Sequence, residues 1–434
     1  MAAGISSADL VPFLWPASWT DPRHVALFEG GPINCLVFSG AAGPIAEAAR
    51  MAGMSVIYGN SLGAAPLEEV KWNTTVPIIA ITGLLWPRMK TAAAGGPNQA
   101  QAGPTGAPWI DSNSWVARLA VARAPAKQIW LGFEPPKDEP APTETAYRIA
   151  VADAAATGAR WMLSLDEKLS RSLAAGVASA LKTWRGILAT LAFFEQRKAW
   201  RAYIQQGPLG VVSTFAGDNQ FMGTEFLNLA ARRNLLYRII DRSRLAAADL
   251  AGLRAVIWLD QELPAPEAVP KLAEFARGGG LLIASRTAAP AFKGERLVDC
   301  PVTGYELRTL GKGTLATTPK DWDDPYFLAA DAHDLVSRRY DPIRLFNGSS
   351  YWVHYSVAAG AKDSLIQLVS FGASARGGGG GTAEVSLRIA EAHRSVTLHT
   401  LDAEPAPLQP AAVGSYTEYR LPQFATYAAL EVKA

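Results

Sequence analysis

Acidic residues stand at the ends of three mostly apolar segments in the first half of this sequence. The segments cover residues 108–111, 128–134 and 160–166, and their terminal acidic residues are Asp111, Glu134 and Asp166. Two carboxyl groups on either side of a bond can act as acid and as nucleophile or base, which is what hydrolysis of a glycosidic bond requires. The sequence therefore predicts Glu134, Asp111 and Asp166 as candidate catalytic residues.

Glu134 is the first candidate for the general acid. It closes an almost wholly apolar segment, where burial would favour the protonated carboxyl group, and Pro135 and Pro136 then stop the strand. Asp111 lies beside Ser112 and Asn113 in a polar and aromatic cluster that is typical of sugar sites.

Each of these acidic residues also has a structural interpretation. Asp111 could cap a helix that starts near Ser114, and Asp166 precedes Glu167 in the position of a helix cap. Glu134 could be a loop carboxylate ahead of the acidic stretch at residues 137–139. The sequence leaves both interpretations open for all three.

Aromatic and amide side chains near the predicted strand ends are candidate substrate contacts. These residues are Trp15, Asn60, Trp86, Trp109 and Asn113. Indole faces can stack on sugar rings, and amides can hydrogen-bond hydroxyl groups. For each tryptophan, packing in the core is the alternative.

Other chemistries receive little support from the sequence. The five histidines are scattered and the two cysteines, Cys35 and Cys300, are far apart, so neither a transition-metal site nor a disulfide framework is predicted. The Gly-x-Ser-x-Gly match at residues 59–63 is interpreted as a turn, because Pro66 would shorten the helix that a hydrolase elbow needs. No dinucleotide or phosphate loop appears, and we expect no cofactor.

Composition narrows the classes of partner. The 434 residues include 41 basic and 39 acidic side chains, for a net charge of +2, without runs of like charge. This balance argues against nucleic acid or an anionic membrane as the main partner. The apolar runs are also too short to cross a bilayer.

The first 200 residues predict alternating strands and helices. Strands are predicted at residues 10–15, 34–39, 55–58, 76–82, 128–134 and 160–166, with a weak seventh at 108–111. Helices are predicted at 43–52, 114–123, 143–157 and 167–203, and a long loop at 90–108. Repeated strand–helix units of this length favour a (β/α) barrel, although the segment is short for a full one.

The remaining residues predict two further parts. Residues 208–285 alternate apolar strands with helices and contain Gly278–Gly280 directly before the strand at 281–285, which favours a parallel, Rossmann-like sheet. Turn-separated strands from residue 346 onward predict a β-sandwich. We therefore expect an α/β multidomain protein with a barrel-like domain at 1–204, a Rossmann-like domain at 205–345 and a sandwich at 346–434.

The segment 208–285 resembles a class I glutamine-amidotransferase-like domain, and the order of the three parts resembles family 42 β-galactosidases. The resemblance implies a glycosidase, a carbohydrate substrate and an exported bacterial protein. Two features depart from the pattern. The strand at 281–285 ends in Ser285-Arg286-Thr287 without a nucleophilic cysteine, and Ile81-Thr82-Gly83 stands where the family carries an Asn-Glu pair.

Two function classes follow from these observations. The first is a glycoside hydrolase that acts on a small oligosaccharide or glycoside through two carboxylates. The alternative is a non-catalytic carbohydrate-binding protein on a degraded barrel. Assembly through the middle domain into a homo-oligomer is a third hypothesis, which the resemblance suggests and the residues leave open.

Overall fold

A computed structural model describes residues 6–90, 109–137, 140–348, 350–372 and 384–434. The fold is mixed α/β, with mainly parallel strands before residue 318 and antiparallel strands after it. The predicted loop at 90–108, apart from its first residue, and the glycine run at 377–381 lie outside the described residues.

The N-terminal part of the chain, up to residue 203, alternates short strands with helices. Its strands are β1 (Pro12–Leu14), β2 (Cys35–Phe38), β3 (Ser55–Tyr58), β4 (Ala65–Pro66), β5 (Ile78–Thr82), β6 (Arg88–Lys90), β7 (Trp109–Asp111), β8 (Gln128–Leu131) and β9 (Arg160–Trp161). Its helices are α1 (Gly43–Met51), α2 (Gly59–Leu62), α3 (Ser114–Arg123), α4 (Glu144–Ala155), α5 (Glu167–Ala174) and α6 (Ala178–Gln196).

Two parallel sheets of this part join into one row of strands. The sheets have the orders β1–β2–β3 and β4–β5–β8–β9. A parallel bridge between Phe13 and Leu163 connects them, and the Leu14 amide donates to the Leu163 carbonyl at 2.8 Å. Cys35 and Val37 of β2 share one buried cluster with Trp130 of β8, so the row curves around a common interior.

All six firmly predicted strand ranges contain a parallel strand. The weak seventh range is corrected: β7 pairs antiparallel with β6 and forms a hairpin outside the row. The long helical pattern at 167–203 is also corrected, because Gly176 adopts a left-handed φ of 70° between α5 and α6.

The central part of the chain contributes all its strands except the first to one further sheet. Its strands are β10 (Ile204–Gln205), β11 (Leu209–Ser213), β12 (Tyr237–Asp241), β13 (Ala255–Trp258), β14 (Leu281–Ala284), β15 (Leu297–Val298), β16 (Glu306–Leu310) and β17 (Gly313–Thr317). Its helices are α7 (Gln220–Arg232), α8 (Ala268–Arg277) and α9 (Pro325–Val336).

The central sheet has the order β12–β11–β13–β14–β17–β16–β15, and its first five strands are parallel. Strands β11, β13 and β14 lie in the segment 208–285, where apolar strands were predicted, and β14 matches its predicted range of 281–285 within one residue. Strand β12 lies at the edge of this sheet, beside β11. After α8, Gly279 has a φ of 121°, a backbone conformation that favours glycine.

The C-terminal part is antiparallel throughout. Its strands are β18 (Ile343–Phe346), β19 (Tyr351–Val357), β20 (Ser364–Ser370), β21 (Val385–Ile389), β22 (Ser395–Thr400), β23 (Ala406–Pro407), β24 (Ala411–Val413), β25 (Tyr416–Leu421) and β26 (Tyr427–Lys433). They form sheets of order β10–β19–β20–β26–β22–β23 and β18–β21–β25–β24.

The central strands β19, β20 and β26 of the larger antiparallel sheet are buried on both faces. Alternate residues of β20 and β26, such as Ile366 and Leu430, share a core with the smaller sheet. Their neighbours Leu365 and Ala429 instead join the core of the N-terminal part. Gln367 donates to the Ala156 carbonyl, just after α4, at 2.9 Å. The C-terminal part is therefore packed tightly onto the helices that cover the N-terminal strands.

Within the described ranges, no helix combines the length and the apolar character needed to cross a membrane.

Candidate functional site

A cavity of about 1230 Å³ opens where four neighbouring parallel strands end. The segments that follow β2, β1, β9 and β8 line it, and these strands are adjacent in the row. The carboxyl ends of parallel strands are where α/β folds place their ligands. Glu134 and Asp166 both line this cavity, whereas Asp111 is not among its lining residues.

Hydrogen bonds hold the Asp166 side chain at the N-terminus of α5. Its Oδ1 accepts the Leu169 amide at 2.9 Å, which caps the helix, and its Oδ2 accepts the Tyr147 hydroxyl at 2.9 Å. The backbone amide of Asp166 in turn donates to the same hydroxyl oxygen at 2.8 Å. The interpretation of Asp166 as a helix cap is thus confirmed, and the cap also fixes the carboxylate against the cavity.

Glu134 lies three residues beyond the end of β8. Its side chain is 64% exposed and its carboxylate faces Lys137 at 3.8 Å. The expectation that Glu134 is buried at a strand end is therefore wrong. The strand pairing stops at Leu131, and Gly132 and Phe133 carry the chain out to the cavity before Glu134 is reached.

The backbone that carries Glu134 is anchored from β9. The Phe133 carbonyl accepts both the Trp161 indole N–H at 3.0 Å and the Ser164 hydroxyl at 2.9 Å. The Phe133 and Trp161 rings also stack at 4.8 Å between centroids. Two donors and a ring contact hold the residue before it, so Glu134 has an exposed side chain on an anchored backbone.

Trp15 lines the cavity as a largely buried ring. It is 6% exposed, and its ring contacts those of Trp19 at 5.3 Å and Phe38 at 5.7 Å. Its indole N–H donates to the Trp19 carbonyl at 2.8 Å. Trp15 can therefore offer a ligand an apolar edge, while its polar atom is already used within the protein.

Trp86 lies in the aromatic core and is absent from the lining of the cavity. Its ring meets those of Phe133, Tyr147 and Trp161 at 5.9, 5.4 and 5.4 Å. The structure thus favours the core-packing interpretation of Trp86. The same cluster supports Tyr147 and Phe133, which hold the two carboxylate-bearing segments.

The polar side chains around Asp111 are buried, and they connect β7, α3 and α4. Asp111 is 3% exposed, and Arg88 approaches its carboxylate at 3.8 Å. Asn113, 2% exposed, donates through its side chain to the Leu85 carbonyl at 2.8 Å and through its amide to Asp153 at 2.8 Å. Asp111 neither caps α3 nor reaches the cavity, and Asn113 is committed to the fold.

Asp153, on α4, accepts hydrogen bonds from the Ser112 hydroxyl and the Asn113 amide. Burial raises the pKa of Asp153 to about 6 from its ordinary value of 3.8, against the opposing effect of those two donors. Between pH 7 and pH 4 the folded protein binds a proton that the unfolded chain lacks, so acidification favours folding through this group.

We expect the binding of this proton to make the difference in unfolding free energy between wild-type protein and Asp153→Asn depend on pH. The asparagine does not titrate, so the wild type should gain about 2 kcal/mol relative to the variant as the pH falls from 7 to 4. Urea unfolding of both proteins at pH 7, 5.5 and 4 measures this change. A difference that stays constant over the three pH values would contradict it.

Two predicted substrate contacts remain. One lies away from the cavity, and the side chain of the other lies outside the described residues. Asn60, in α2, lines a separate cavity of about 420 Å³ together with Glu69 and Lys71. Trp109 belongs to β7, but its side chain lies outside the described part of the structure.

Several residues of the site were missed from the sequence. Tyr147, Ser164 and Lys168 are the clearest, because the first binds Asp166, the second binds the Phe133 carbonyl and the third lines the cavity. Tyr147 carries the only hydroxyl-tipped ring in the buried pattern of α4, which is the signal that could have identified it. Among the described residues, no group of three or more His, Cys, Asp or Glu side chains is arranged to hold a metal ion.

No family model matches the sequence, and a search of curated proteins finds no match. Solved structures do match. An α-L-fucosidase isoenzyme 2 from Paenibacillus thiaminolyticus has a TM-score of 0.48 at 10% identity, over 71% of this chain and 60% of that one. A β-galactosidase from Bacillus circulans sp. alkalophilus has a TM-score of 0.47 at 9% identity, over 73% and 61%.

A catalytic mutant of a family 42 β-galactosidase from G. stearothermophilus also matches, with a TM-score of 0.39 at 9% identity, over 74% of this chain and 61% of that one. The chain thus spans about three fifths of the length of these three structures. At such identities and TM-scores the likenesses assign no activity and no site residue. The matched structures include a family 42 β-galactosidase.

Proposed function

We propose that this protein is a glycoside hydrolase that acts on a small glycoside in the cavity of about 1230 Å³. One observation carries the proposal: carboxylates that follow two neighbouring parallel strands, Glu134 after β8 and Asp166 after β9, line the same cavity. Hydrolysis of a glycosidic bond needs two such groups.

In this mechanism Glu134 is the acid and Asp166 is the nucleophile or base. The Leu169 amide and the Tyr147 hydroxyl orient the Asp166 carboxylate toward the cavity, and each carboxylate oxygen keeps a second acceptor site. Glu134 is exposed in the free protein, and a bound substrate would cover it and remove it from water. A carboxyl separation of about 5 Å would give retention, and roughly 6.5–9.5 Å inversion.

The three parts of the chain have separate roles in this proposal. The strand row of residues 1–204 acts as a reduced barrel that carries the site, and residues 346–434 act as a supporting β-sandwich. Residues 205–345 form an amidotransferase-like scaffold without a nucleophile. The absence of cysteine at Ser285-Arg286-Thr287, directly after β14, supports this scaffold role. Cys300, the cysteine of this segment, instead follows the short strand β15.

Carbohydrate binding without catalysis is the second candidate, and the state of the carboxylates favours it. Both oxygens of Asp166 already accept hydrogen bonds, and Glu134 is solvent-exposed beside Lys137. A cavity of this kind could hold a sugar without reacting with it.

A panel of chromogenic α- and β-glycosides, with natural oligosaccharides, separates the two candidates. We expect hydrolysis of at least one glycoside by the wild-type protein and its loss in Glu134→Gln. Thermal stabilisation by a sugar without turnover would support binding alone. If the panel shows no turnover and no stabilisation, both proposed functions are contradicted.

A further inference from the structure

The cavity has two chemically different walls. The segments that follow β1 and β2, together with the start of α1, form one wall, which we call the apolar wall; it includes Leu14, Trp15, Phe38, Ala42, Pro44 and Ile45. The segments that follow β8 and β9 form the other, which we call the charged wall; it includes Glu134, Lys137, Asp166, Glu167 and Lys168. In the strand order β8–β9–β1–β2 the walls stand on opposite sides of the cavity.

The apolar wall offers few partners for sugar hydroxyl groups. Among the described residues that line it, the polar side chains besides the indoles are the hydroxyls of Ser18, Thr20 and Ser39, without any charged or amide group. The indole N–H groups of Trp15 and Trp19 are already bound to the Trp19 and Ser170 carbonyls, at 2.8 and 2.9 Å. The tryptophans therefore present only apolar surface to a ligand.

The charged wall supplies hydrogen-bond acceptors and donors for the hydroxyl groups of a sugar ring. Carboxylates accept hydrogen bonds from hydroxyls, and the ammonium group of Lys168 donates to them. All charged residues of the described lining lie on this side, after β8 and β9. A sugar bound here would place its glycosidic bond beside Glu134 and Asp166.

The cavity is also larger than one sugar ring requires. Its volume of about 1230 Å³ exceeds the range of roughly 300–1,000 Å³ that holds drug-sized ligands. A second sugar ring on the apolar wall would leave several hydroxyls without partners, and each buried polar group without a partner is unfavourable. An apolar group would instead displace water from the apolar surface of this wall, which is favourable.

We infer that the preferred ligand is amphiphilic: a glycoside whose sugar lies against the charged wall and whose aglycone is an apolar alkyl or aryl group against the apolar wall. This inference rests on the proposed function, because the same two carboxylates are taken to cleave the bond between these parts. The products are then a free sugar and an apolar alcohol.

A series of alkyl glycosides tests the inference. Methyl, butyl and octyl glycosides of galactose, glucose and rhamnose keep the leaving alcohol nearly constant in acidity, so the chain length changes binding to the aglycone side only. We expect kcat/KM to rise with chain length, by about fourfold for each methylene that becomes buried. The octyl glycoside, kept below its micellar concentration, should exceed the methyl glycoside at least tenfold.

A variant of the apolar wall locates the effect. Ile45→Asn places an amide on the wall and should reduce the ratio of kcat/KM for octyl over methyl glycosides by at least fivefold. Met51→Asn is the matched control, because Met51 lies on the same helix and is 85% exposed. The control should keep the wild-type ratio.

The outcomes separate this inference from the proposed function. Hydrolysis of glycosides at a rate independent of chain length, or faster for a disaccharide than for the octyl glycoside, overturns the inference and leaves the glycosidase intact. A lack of hydrolysis across the series overturns the proposed function. A chain-length effect that Ile45→Asn leaves unchanged would place the aglycone elsewhere and so contradict the apolar wall as its site.

Discussion

Glu134→Gln and Asp166→Asn are each expected to lower kcat by about 10²- to 10⁴-fold on the glycoside that the protein hydrolyses. Glutamine keeps the size of Glu134 but cannot donate a proton to the leaving oxygen. Asparagine can still cap α5 from position 166, since its side-chain oxygen accepts the Leu169 amide as the carboxylate does. The loss in each variant should therefore be chemical, with the fold retained.

Matched variants control for the removal of charge and for the change of a cap. Glu306→Gln removes an exposed carboxylate that pairs with Arg308 at 3.3 Å. Asp324→Asn changes the residue that caps α9, where the Asp324 side chain accepts the Tyr326 amide at 2.8 Å. Both should keep full activity. Steady-state rates and circular dichroism measure the two effects, and full activity of Glu134→Gln and Asp166→Asn would refute the assignment.

The leaving group distinguishes the acid from the nucleophile. A dinitrophenolate departs without a proton, so Glu134→Gln should lose much less activity on a dinitrophenyl glycoside than on an alkyl glycoside. Asp166→Asn should lose activity on both substrates. Equal losses for Glu134→Gln on the two substrates would remove Glu134 from the role of acid.

Arg118→Ala is expected to cost about 3 kcal/mol of stability, the largest effect we expect at a residue outside the site. Arg118, on α3, is 8% exposed and donates to Nδ1 of His354 on β19 at 2.8 Å. Its guanidinium also lies 4.9 Å from the ring centre of Tyr237 on β12. One buried cation thus connects the three parts of the chain.

The protonation state of His354 explains why this contact is stabilising. Burial, and then the nearby Arg118, hold the pKa of His354 well below its ordinary value. The neutral ring can accept from the guanidinium, whereas a protonated ring would repel it. Removing Arg118 leaves a cavity and a buried ring nitrogen that has lost its donor.

Urea and thermal unfolding at pH 7 test this effect. Arg50→Ala, an exposed arginine in the last turn of α1, is the control and should change stability by less than about 0.5 kcal/mol. A double-mutant cycle with His354→Phe should show coupling, because the two side chains share one hydrogen bond. Additive effects, or a small cost of Arg118→Ala, would show that the junction does not depend on this contact.

The local chain determined most of the secondary structure. Apolar runs bounded by glycine, proline and polar residues predicted the parallel strands of the N-terminal part, and Asp166 is in the cap position that the sequence indicated. These features depend on neighbouring residues, so the sequence alone reveals them. The break between α5 and α6 was missed because a helical pattern continues across Gly176, and only its positive φ ends the helix.

The composition of the site was decided by tertiary structure. All three acidic residues follow apolar segments, yet β7 pairs with β6 outside the strand row, and this pairing removes Asp111 from the cavity. Glu134 was expected to be buried because its neighbours are apolar. Its exposure follows from where the pairing of β8 with β5 and β9 stops, which no local pattern contains.

The sequence by itself therefore determined the elements and their order, since helix and strand periodicity are written in residues a few positions apart. Tertiary structure decided which side chains meet. Tyr147 reaches Asp166 across 19 residues, and Arg118 reaches His354 across 236. Tyr147 and Asp153 of α4 are both fully buried. The rings of Trp86 and Trp161 cover Tyr147, and Ser112 and Asn113 bind Asp153. These partners are distant in sequence, so their contacts leave no periodic trace in α4.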